Sequence, residues 1–169
     1  MFKIALYLLL TVILATFLLP FFYTVSAYEL NPTKILQAPS FEHIFGTDRL
    51  GRDIFARILE GGQTSLIIGF LAASISSILG LVIGITAGYF KGNIDKTITI
   101  LIDLFLTFPT FFLLLALVSY IQASAVILII VISTTGWMGM SRMIRSESFS
   151  IGNKPFIKIL RIANVPTYK

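Results

Sequence analysis

The sequence of 169 residues contains no cysteine and only one histidine. The absence of cysteine excludes a disulfide framework and thiolate chemistry, and His43 alone cannot build a metal site. The sequence also has no Walker-type Gly-x-x-x-x-Gly-Lys loop and no Ser-His-Asp, Cys-His or paired-carboxylate constellation. We therefore expect no catalytic residue, no bound cofactor and no metal site on this chain.

Charge is scarce as well, because Asp, Glu, Lys and Arg make up 12% of the residues, whereas a soluble domain carries about a quarter. Hydrophobic residues make up 56%, and the mean hydropathy is +0.92. These values predict an integral membrane protein. We interpret the net charge of +5 as a sign of membrane sidedness, so the expected partner is the lipid bilayer and not nucleic acid.

Four apolar segments approach the roughly 20 residues that cross a bilayer core. They predict an all-α membrane bundle with spans at Ile4–Tyr23, Ser65–Phe90, Thr97–Tyr120 and Ala123–Met140. The expected organisation is an N-terminal transmembrane anchor (1–23), a connector (24–64), a core of three spans (65–141) and a polar, basic segment (142–169). A tight turn is expected at Lys91–Lys96.

The first span has an alternative interpretation as a cleaved signal peptide, since Val25-Ser26-Ala27 resembles a cleavage site. Its apolar run is longer than the about 7–15 residues of a signal peptide's apolar region. The length favours a retained anchor.

Lysine and arginine are unequally divided between the two sides that alternating spans define. The more basic side marks the cytoplasm, which places both termini inside and the connector outside. The basic side carries Lys3, Lys91, Lys96, Arg142, Arg145, Lys154, Lys158, Arg161 and Lys169, and the other side carries Lys34, Arg49, Arg52 and Arg57.

The connector contains a polar block between two apolar runs. Asp48 is placed to cap a helix that Gly61-Gly62 would end, and Arg49–Asp53 and Asp53–Arg57 are spaced for i,i+4 ion pairs. Together with an apolar face, this predicts a short amphipathic helix lying flat on the membrane. The block is Gly46-Thr47-Asp48-Arg49-Leu50-Gly51-Arg52-Asp53, and the apolar face is Leu50, Ile54, Phe55, Ile58 and Leu59.

Small residues recur at every fourth position of the second span and form one slanted ridge. Helices in lipid associate by close backbone approach, which such a ridge permits. The pattern therefore predicts that another helix packs here. The ridge consists of Ala72, Ser76, Gly80, Gly84 and Gly88.

The third span carries an acid, Asp103, and a proline, Pro109. A carboxylate within a span is costly unless it is paired or hydrated, so Asp103 is a candidate for a proton or ion site. It lies near the cytoplasmic end, however, where pairing with Lys91 or Lys96 is the structural alternative. Pro109 is expected to kink the helix as a hinge or as static shape.

The C-terminal segment predicts a further short amphipathic helix with Pro155 in its first turn. Phe156, Ile159, Leu160 and Ala163 fall on one face, and Asn164 and Pro166 end the helix. Such a helix could lie on anionic lipid or dock in a groove of a soluble partner. The periodicity leaves both open.

In order and spacing, these motifs resemble the inner-membrane permease subunits of ABC importers for dipeptides, oligopeptides and nickel, specifically the second permease of the pair. The match covers roughly residues 41–163. It rests on His43-x-x-Gly46-Thr47-Asp48-x-x-Gly51-Arg52-Asp53, on Ala87-Gly88-Tyr89-Phe90-x-Gly92-x-x-Asp95, on Asp103 followed by Phe108-Pro109, and on Gly136-Trp137 with Arg142 and Arg145.

The resemblance implies a permease half-channel in the bacterial inner membrane that works by alternating access. Its implied partners are a homologous second permease, cytoplasmic ATPase subunits that carry the ATP chemistry, and an extracytoplasmic substrate-binding protein. It also implies a coupling helix that docks on the ATPase. By position the coupling residues are Phe156, Lys158, Ile159, Leu160, Arg161 and Asn164.

The chain departs from the family in two ways. Lys158-Ile159-Leu160 stands where the family has Glu-Ala-Ala, and Asn164 stands where it has glycine, which changes the charge of the docking surface. The family has six spans, of which four are present here. A truncated remnant, half of a split gene and a piece of a longer protein are the open explanations.

Two functions rival the importer. One is a membrane-inserted remnant that does not transport. The other is a small four-span proton-coupled exporter that uses Asp103.

Overall fold

The computed structural model describes residues 2–107, 112, 115, 119 and 124–163, with the exception of the Arg161 side chain. Across these residues the fold is all-α, as predicted, and its only β feature is an isolated bridge between Thr47 and Asp53. The helices are α1 (Phe2–Phe22), α2 (Ile54–Phe90), α3 (Gly92–Thr107), α4 (Ala125–Gly152) and α5 (Pro155–Ile162), with one 3-10 turn at Pro32–Lys34.

Three of these helices are long and apolar enough to cross a membrane, namely α1, α2 and α4. They correspond to the first, second and fourth predicted spans. Helix α3 covers the beginning of the third predicted span, and the rest of that span, including Pro109, lies largely outside the described residues. The helical membrane-bundle class is therefore confirmed.

The separate amphipathic helix predicted before Gly61-Gly62 is wrong, because α2 runs without interruption from Ile54 to Phe90. A glycine inside a helix costs only about 1 kcal/mol relative to alanine. A break here would also release backbone N–H and C=O groups that an apolar environment cannot satisfy. Gly62 lies against Thr16 of α1, and Gln63 donates a hydrogen bond to the carbonyl of Thr16 (3.1 Å).

The turn between α2 and α3 is shorter than the predicted Lys91–Lys96. Only Lys91 lies between the two helices, and it and Gly92 have positive φ angles of 56° and 58°. Two consecutive left-handed residues reverse the chain at once, so Asn93 to Lys96 are already helical. The ammonium of Lys91 contacts the side chain of Asn153 (3.4 Å) and lies over the ring of Phe149.

The fourth predicted span ends too early, because α4 continues from Met140 to Gly152. Ser124 caps its start by accepting from the N–H of Ile127 (3.3 Å). The polar residues after Met140 remain helical, and Asn153 ends α4 by donating from its N–H to the carbonyl of Phe149 (3.2 Å). Helix α5 then begins two residues later, at Pro155.

The chain divides into two compact units, Met1–Ile67 and Ile68–Lys169. The buried interior of the first is unusually polar and includes Thr16, His43, Thr47 and Asp53 besides Ala27, Ala56 and Leu59. Among its described residues, the second buries small and apolar side chains together with three polar ones. These are Ala72, Ala87, Asp95, Ile102, Val131, Ser133, Met138 and Ser141.

Candidate functional site

The polar block of the connector is a folded loop whose two glycines are required by geometry. Gly46 and Gly51 both have φ of 73°, in the left-handed region that favours glycine. A Cβ atom on Gly51 would collide with the carbonyl oxygen of Asn31, and one on Gly46 with that of Gln37. The backbone of the block therefore lies directly against the preceding segment, with no room for a side chain between them.

Hydrogen bonds join this loop to the segment from Asn31 to Gln37. The hydroxyl of Thr47 accepts from the N–H of Gln37 (2.8 Å) and donates to the carbonyl of Lys34. The N–H of Thr47 donates to the carbonyl of Gln37 (3.1 Å). Thr47 is 3% exposed, so its hydroxyl is satisfied in the interior and is not offered to a ligand.

Asp48 stabilises the loop and does not cap α2. One carboxylate oxygen accepts from the N–H groups of Leu50 (2.8 Å) and Arg52 (3.0 Å), and the other pairs with Arg52 (2.9 Å) and Arg57 (2.6 Å). Burial acts to raise the pKa of Asp48, but these donors outweigh it and lower the pKa to about 2. Asp48 thus remains ionised through the physiological range.

The actual helix cap is Asp53, which accepts from the N–H of Ala56 (2.7 Å) and is 2% exposed. The predicted ion pairs of Asp53 with Arg49 and Arg57 are therefore wrong. The carboxylate of Asp53 turns inward, where it accepts from the hydroxyl of Tyr23 (2.7 Å) and contacts Nδ1 of His43 (2.8 Å).

The network continues from His43 to the surface through Lys34. The ammonium of Lys34 lies 3.1 Å from Nε2 of His43 and 3.3 Å from a carboxylate oxygen of Glu42. Because Lys34 can only donate, Nε2 is assigned as the acceptor and Nδ1 as the nitrogen that donates to Asp53. Each polar side chain along the network, in the order Glu42, Lys34, His43, Asp53 and Tyr23, then has a compatible partner.

This network shifts the pKa values at its inner end in opposite directions. Burial acts to raise the pKa of Asp53, but hydrogen bonds from Ala56, Tyr23 and His43 hold it below its usual range. Burial, with the adjacent carboxylate of Asp53, raises the pKa of Tyr23 to about 12. Asp53 is therefore an anion held by donors, an arrangement that suits a structural anchor and not a proton donor.

The ridge of small residues on α2 lies against α4 within the second unit. A Cβ atom on Gly84 would lie 2.7 Å from the carbonyl oxygen of Ser141, and one on Gly80 would lie 2.6 Å from Cβ of Met140. A Cβ on Gly88 would collide with the side chain of Ser148. The helix that packs on the ridge is thus α4, and the backbones approach too closely for larger side chains.

At the other end of the ridge the contact between the two helices becomes polar. The hydroxyl of Ser133 donates a long hydrogen bond to the carbonyl of Ala72 (3.4 Å), and Ser76 lies opposite Gly136 and the carbonyl of Ser133 (3.5 Å). Side-chain hydrogen bonds across membrane helices contribute modestly, about 0.6 kcal/mol on average. Close packing is therefore the main stabilising contact of this α2–α4 seam.

Two ion pairs connect α3 to α4. Arg145 forms a two-point contact with Asp95, whose Oδ2 lies 2.7 Å from the guanidinium. Arg142 pairs with Asp103, and both of these side chains are about half exposed. The predicted pairing of Asp103 with Lys91 or Lys96 is wrong, because Lys96 lies about two turns before Asp103 on α3 and Lys91 precedes that helix, whereas α4 presents an arginine directly.

Helix α5 starts at Pro155 as predicted and leaves most of its apolar side chains uncovered. Phe156 is 54% exposed, Ile159 64%, Leu160 46% and Ile162 86%. Ile157 is partly covered and lines an apolar cavity of about 410 Å³ with Ile144 of α4. Lys158 is exposed, Asn164 lies outside the described residues, and nothing is described of the Arg161 side chain.

Sequence reasoning missed the network around His43 and the pair between Asp95 and Arg145. His43 and Asp53 are ten residues apart in the sequence, and neither helical nor strand periodicity brings two such residues together. Within the described ranges, no group of three or more His, Cys, Asp or Glu side chains could hold a metal ion.

The family of binding-protein-dependent transport system inner membrane components matches residues 80–169. The dipeptide transport system permease DppC of Alkalihalophilus pseudofirmus is 40% identical over 135 residues, which is 79% of this chain and 44% of the relative.

Two oligopeptide transport system permeases named OppC are similar as well. That of Haemophilus influenzae is 30% identical over 149 residues (87% of this chain, 48% of the relative), and that of Mycobacterium tuberculosis is 35% identical over 150 residues (88% and 50%). The chain spans about half the length of the curated relatives it matches.

Proposed function

We propose that this chain, which belongs to the family of binding-protein-dependent transport system inner membrane components, forms part of the translocation path of an ATP-driven importer. The resemblance to importer permeases that the motifs indicated is thereby confirmed. With three helices of membrane-spanning length, it is a multi-pass inner-membrane protein. The names of its relatives describe dipeptide and oligopeptide transport, so short peptides are the proposed cargo, and no relative named above supports nickel.

The observation that carries the coupling role is the exposed apolar surface of α5. Phe156, Ile159 and Leu160 are about half exposed or more on an eight-residue helix that follows the polar end of α4. A short helix with uncovered apolar side chains fits a groove on another protein. We assign that groove to a cytoplasmic ATPase subunit, because the resemblance to ABC importer permeases implies such a partner. ATP hydrolysis would take place on that subunit.

The connection between α5 and the α2–α4 seam supports a mechanical link. Only Asn153 and Lys154 separate α5 from α4, and α4 is continuous from there to the contacts with Gly88, Gly84 and Gly80. Movement of the ATPase subunits would displace α5 and alter the position of α4 along the glycine ridge. ATP binding drives such a change only if the ATPase binds one channel state more tightly than the other.

The remaining partners and the orientation follow from the same proposal. A homologous second permease would supply the other half of the path, and an extracytoplasmic binding protein would deliver the cargo. The excess of lysine and arginine on α5 and the α2–α3 turn favours a cytoplasmic location for these elements and for both termini. The connector would then face outward.

The test is retention of a cognate ATPase subunit by the tagged chain in detergent. We expect Ile159→Asp and Arg161→Glu to reduce retention at least tenfold, because the first removes an apolar contact and the second reverses a charge at the docking surface. Lys3→Glu makes the same charge change on the predicted cytoplasmic side, outside α5, and should retain the ATPase normally.

Two results would contradict the proposal. Equal retention by Ile159→Asp and the unchanged chain would exclude α5 as the docking element. Failure of the unchanged chain to retain any cognate ATPase would instead support a membrane-inserted remnant without transport activity. The proton-coupled exporter is not favoured, since Asp103 is paired with Arg142.

A further inference from the structure

A cavity of about 540 Å³ lies in the connector beside the network around His43. Its wall includes Asp53, His43 and Lys34, and its rim includes two strongly exposed aromatic side chains, Phe22 and Phe41. The volume falls within the about 300–1,000 Å³ typical of small-molecule sites. Polar groups with aromatic neighbours at the rim are suited to a ligand that has both charged and apolar parts.

Lys34 offers this cavity a hydrogen-bond donor that no described residue accepts. An ammonium has three donors, and in the described structure one faces Nε2 of His43 and another a carboxylate oxygen of Glu42. The network holds the ammonium in place, since His43 is itself fixed by Asp53. The third donor is available to an anionic oxygen, such as a carboxylate.

Glu29 offers the opposite charge on the same cavity. It lines the wall, its side chain is exposed, and within the described part of the chain its carboxylate has no hydrogen-bond or ion-pair partner. Glu42 and Asp53 add two further carboxylates, and Lys34 is the only lysine or arginine among the lining residues. The excess of acid favours an ammonium group, whereas a ligand with cations alone would leave the third Lys34 donor unsatisfied.

We propose that this cavity binds a short peptide with free termini, the carboxylate on Lys34, the ammonium on Glu29, and an apolar side chain against Phe22 or Phe41. The inference deepens the proposed function, on which it rests for the biological role of the peptide. It adds a cargo-contacting site on the connector of the permease chain itself.

The experiment measures binding of four forms of the dipeptide Ala-Phe to the full chain in nanodiscs by titration calorimetry. The forms are free at both ends, acetylated at the N-terminus, amidated at the C-terminus, and blocked at both. We expect the free dipeptide to bind at least tenfold more tightly than the doubly blocked one, because each charged hydrogen bond contributes to affinity.

Two variants assign the two ends of the peptide. Glu29→Gln should abolish the preference for a free ammonium and leave the preference for a free carboxylate, and Lys34→Met should do the reverse. Glu147→Gln and Arg49→Met remove charges that do not line the cavity and should bind as the unchanged chain does. Because the Glu29 carboxylate has no partner among the described residues, its variant decides the question even if Lys34→Met disturbs the loop.

Equal binding of the free and doubly blocked dipeptides would overturn the proposal, as would unchanged binding by Glu29→Gln. Single phenylalanine serves as a further probe, and tighter binding of phenylalanine than of Ala-Phe would contradict the assignment to a peptide. Retention of the ATPase is measured separately. Failure of peptide binding with intact retention would reject this site alone, whereas loss of retention would reject the coupling role.

Discussion

The connector loop and helix α5 both adjoin membrane-spanning helices, yet they differ in how completely the chain satisfies them. In the loop, Asp48, Asp53 and Thr47 have hydrogen-bond partners within the same unit. In α5, the side chains of Ile159 and Ile162 are mostly exposed. The buried polar groups of the loop are satisfied within its own unit, whereas the apolar side chains of α5 need a surface to cover them.

This difference separates two kinds of sequence signal. Backbone geometry and internal hydrogen bonds explain Gly46, Gly51 and Asp53, so these residues require no bound partner. The apolar residues of α5 have no such internal explanation, and their exposure supports a docking role. Substitutions in the connector loop test the first half of this comparison, and ATPase retention tests the second.

The largest effect is expected for Gly51→Ala. Alanine at a φ of 73° is strained, and its Cβ would collide with the carbonyl of Asn31. We expect a loss of about 3 kcal/mol or more in the free energy of unfolding, measured by denaturant titration in micelles. Gly61→Ala is the matched control, since Gly61 is helical with open space around it and alanine there should be neutral or stabilising.

Asp53→Asn is expected to have the next largest effect. The carboxylate of Asp53 accepts from Tyr23, His43 and Ala56 in the interior. An amide nitrogen would face donors in place of an acceptor, which costs about 2–3 kcal/mol in the free energy of unfolding. Asp48→Asn, at a more exposed carboxylate, should cost less, and an equal loss for both variants would contradict the importance of the buried network.

Gly84→Ala should have an intermediate effect, confined to the second unit. Its Cβ would lie 2.7 Å from the carbonyl of Ser141, so α2 and α4 would have to separate by several tenths of an ångström. We expect a loss of about 2 kcal/mol, measured by the same titration. Gly69→Ala, on the same helix with open space around it, is the control. Equal stability of the two variants would show that the seam tolerates separation.

The sequence predicted those features that depend on local periodicity. The apolar runs located α1, α2 and α4, and the spacing of Gly80 and Gly84 indicated a packing face. It failed where the chain returns on itself. Arg57 pairs with Asp48, nine residues away, because the loop closes, whereas helical spacing suggested Asp53. Likewise Gly61-Gly62 resembles a helix end locally, but the backbone of α2 has no alternative hydrogen-bond partners in an apolar environment.

The loss of folding stability at acidic pH should depend on Asp48. Its pKa is about 2 in the folded chain and about 3.8 without the fold. A group whose pKa is lowered on folding stabilises the fold above its unfolded pKa and loses that contribution as the pH falls. Stability should therefore decline between about pH 4 and 2, more steeply in the unchanged chain than in Asp48→Asn. The lowered pKa of Asp53 adds to the acid decline in both proteins. An identical decline in the unchanged chain and in Asp48→Asn would contradict the contribution of Asp48.

The smallest effect is expected on the alkaline side, where Tyr23 has its pKa raised from 10.0 to about 12. A group whose pKa is raised on folding contributes fully below its unfolded pKa, and that contribution disappears as the pH rises through the folded value. The unchanged chain should lose stability between about pH 10 and 12, because the phenolate would face the carboxylate of Asp53. Tyr23→Phe should not show this alkaline loss of stability, although it is less stable at pH 7 because it lacks the hydrogen bond to Asp53. Tyr28→Phe is the control, because it removes a more exposed phenol with no bond to Asp53. It should show the same alkaline loss of stability as the unchanged chain. Absence of that loss in Tyr28→Phe would place the alkaline transition outside the connector network.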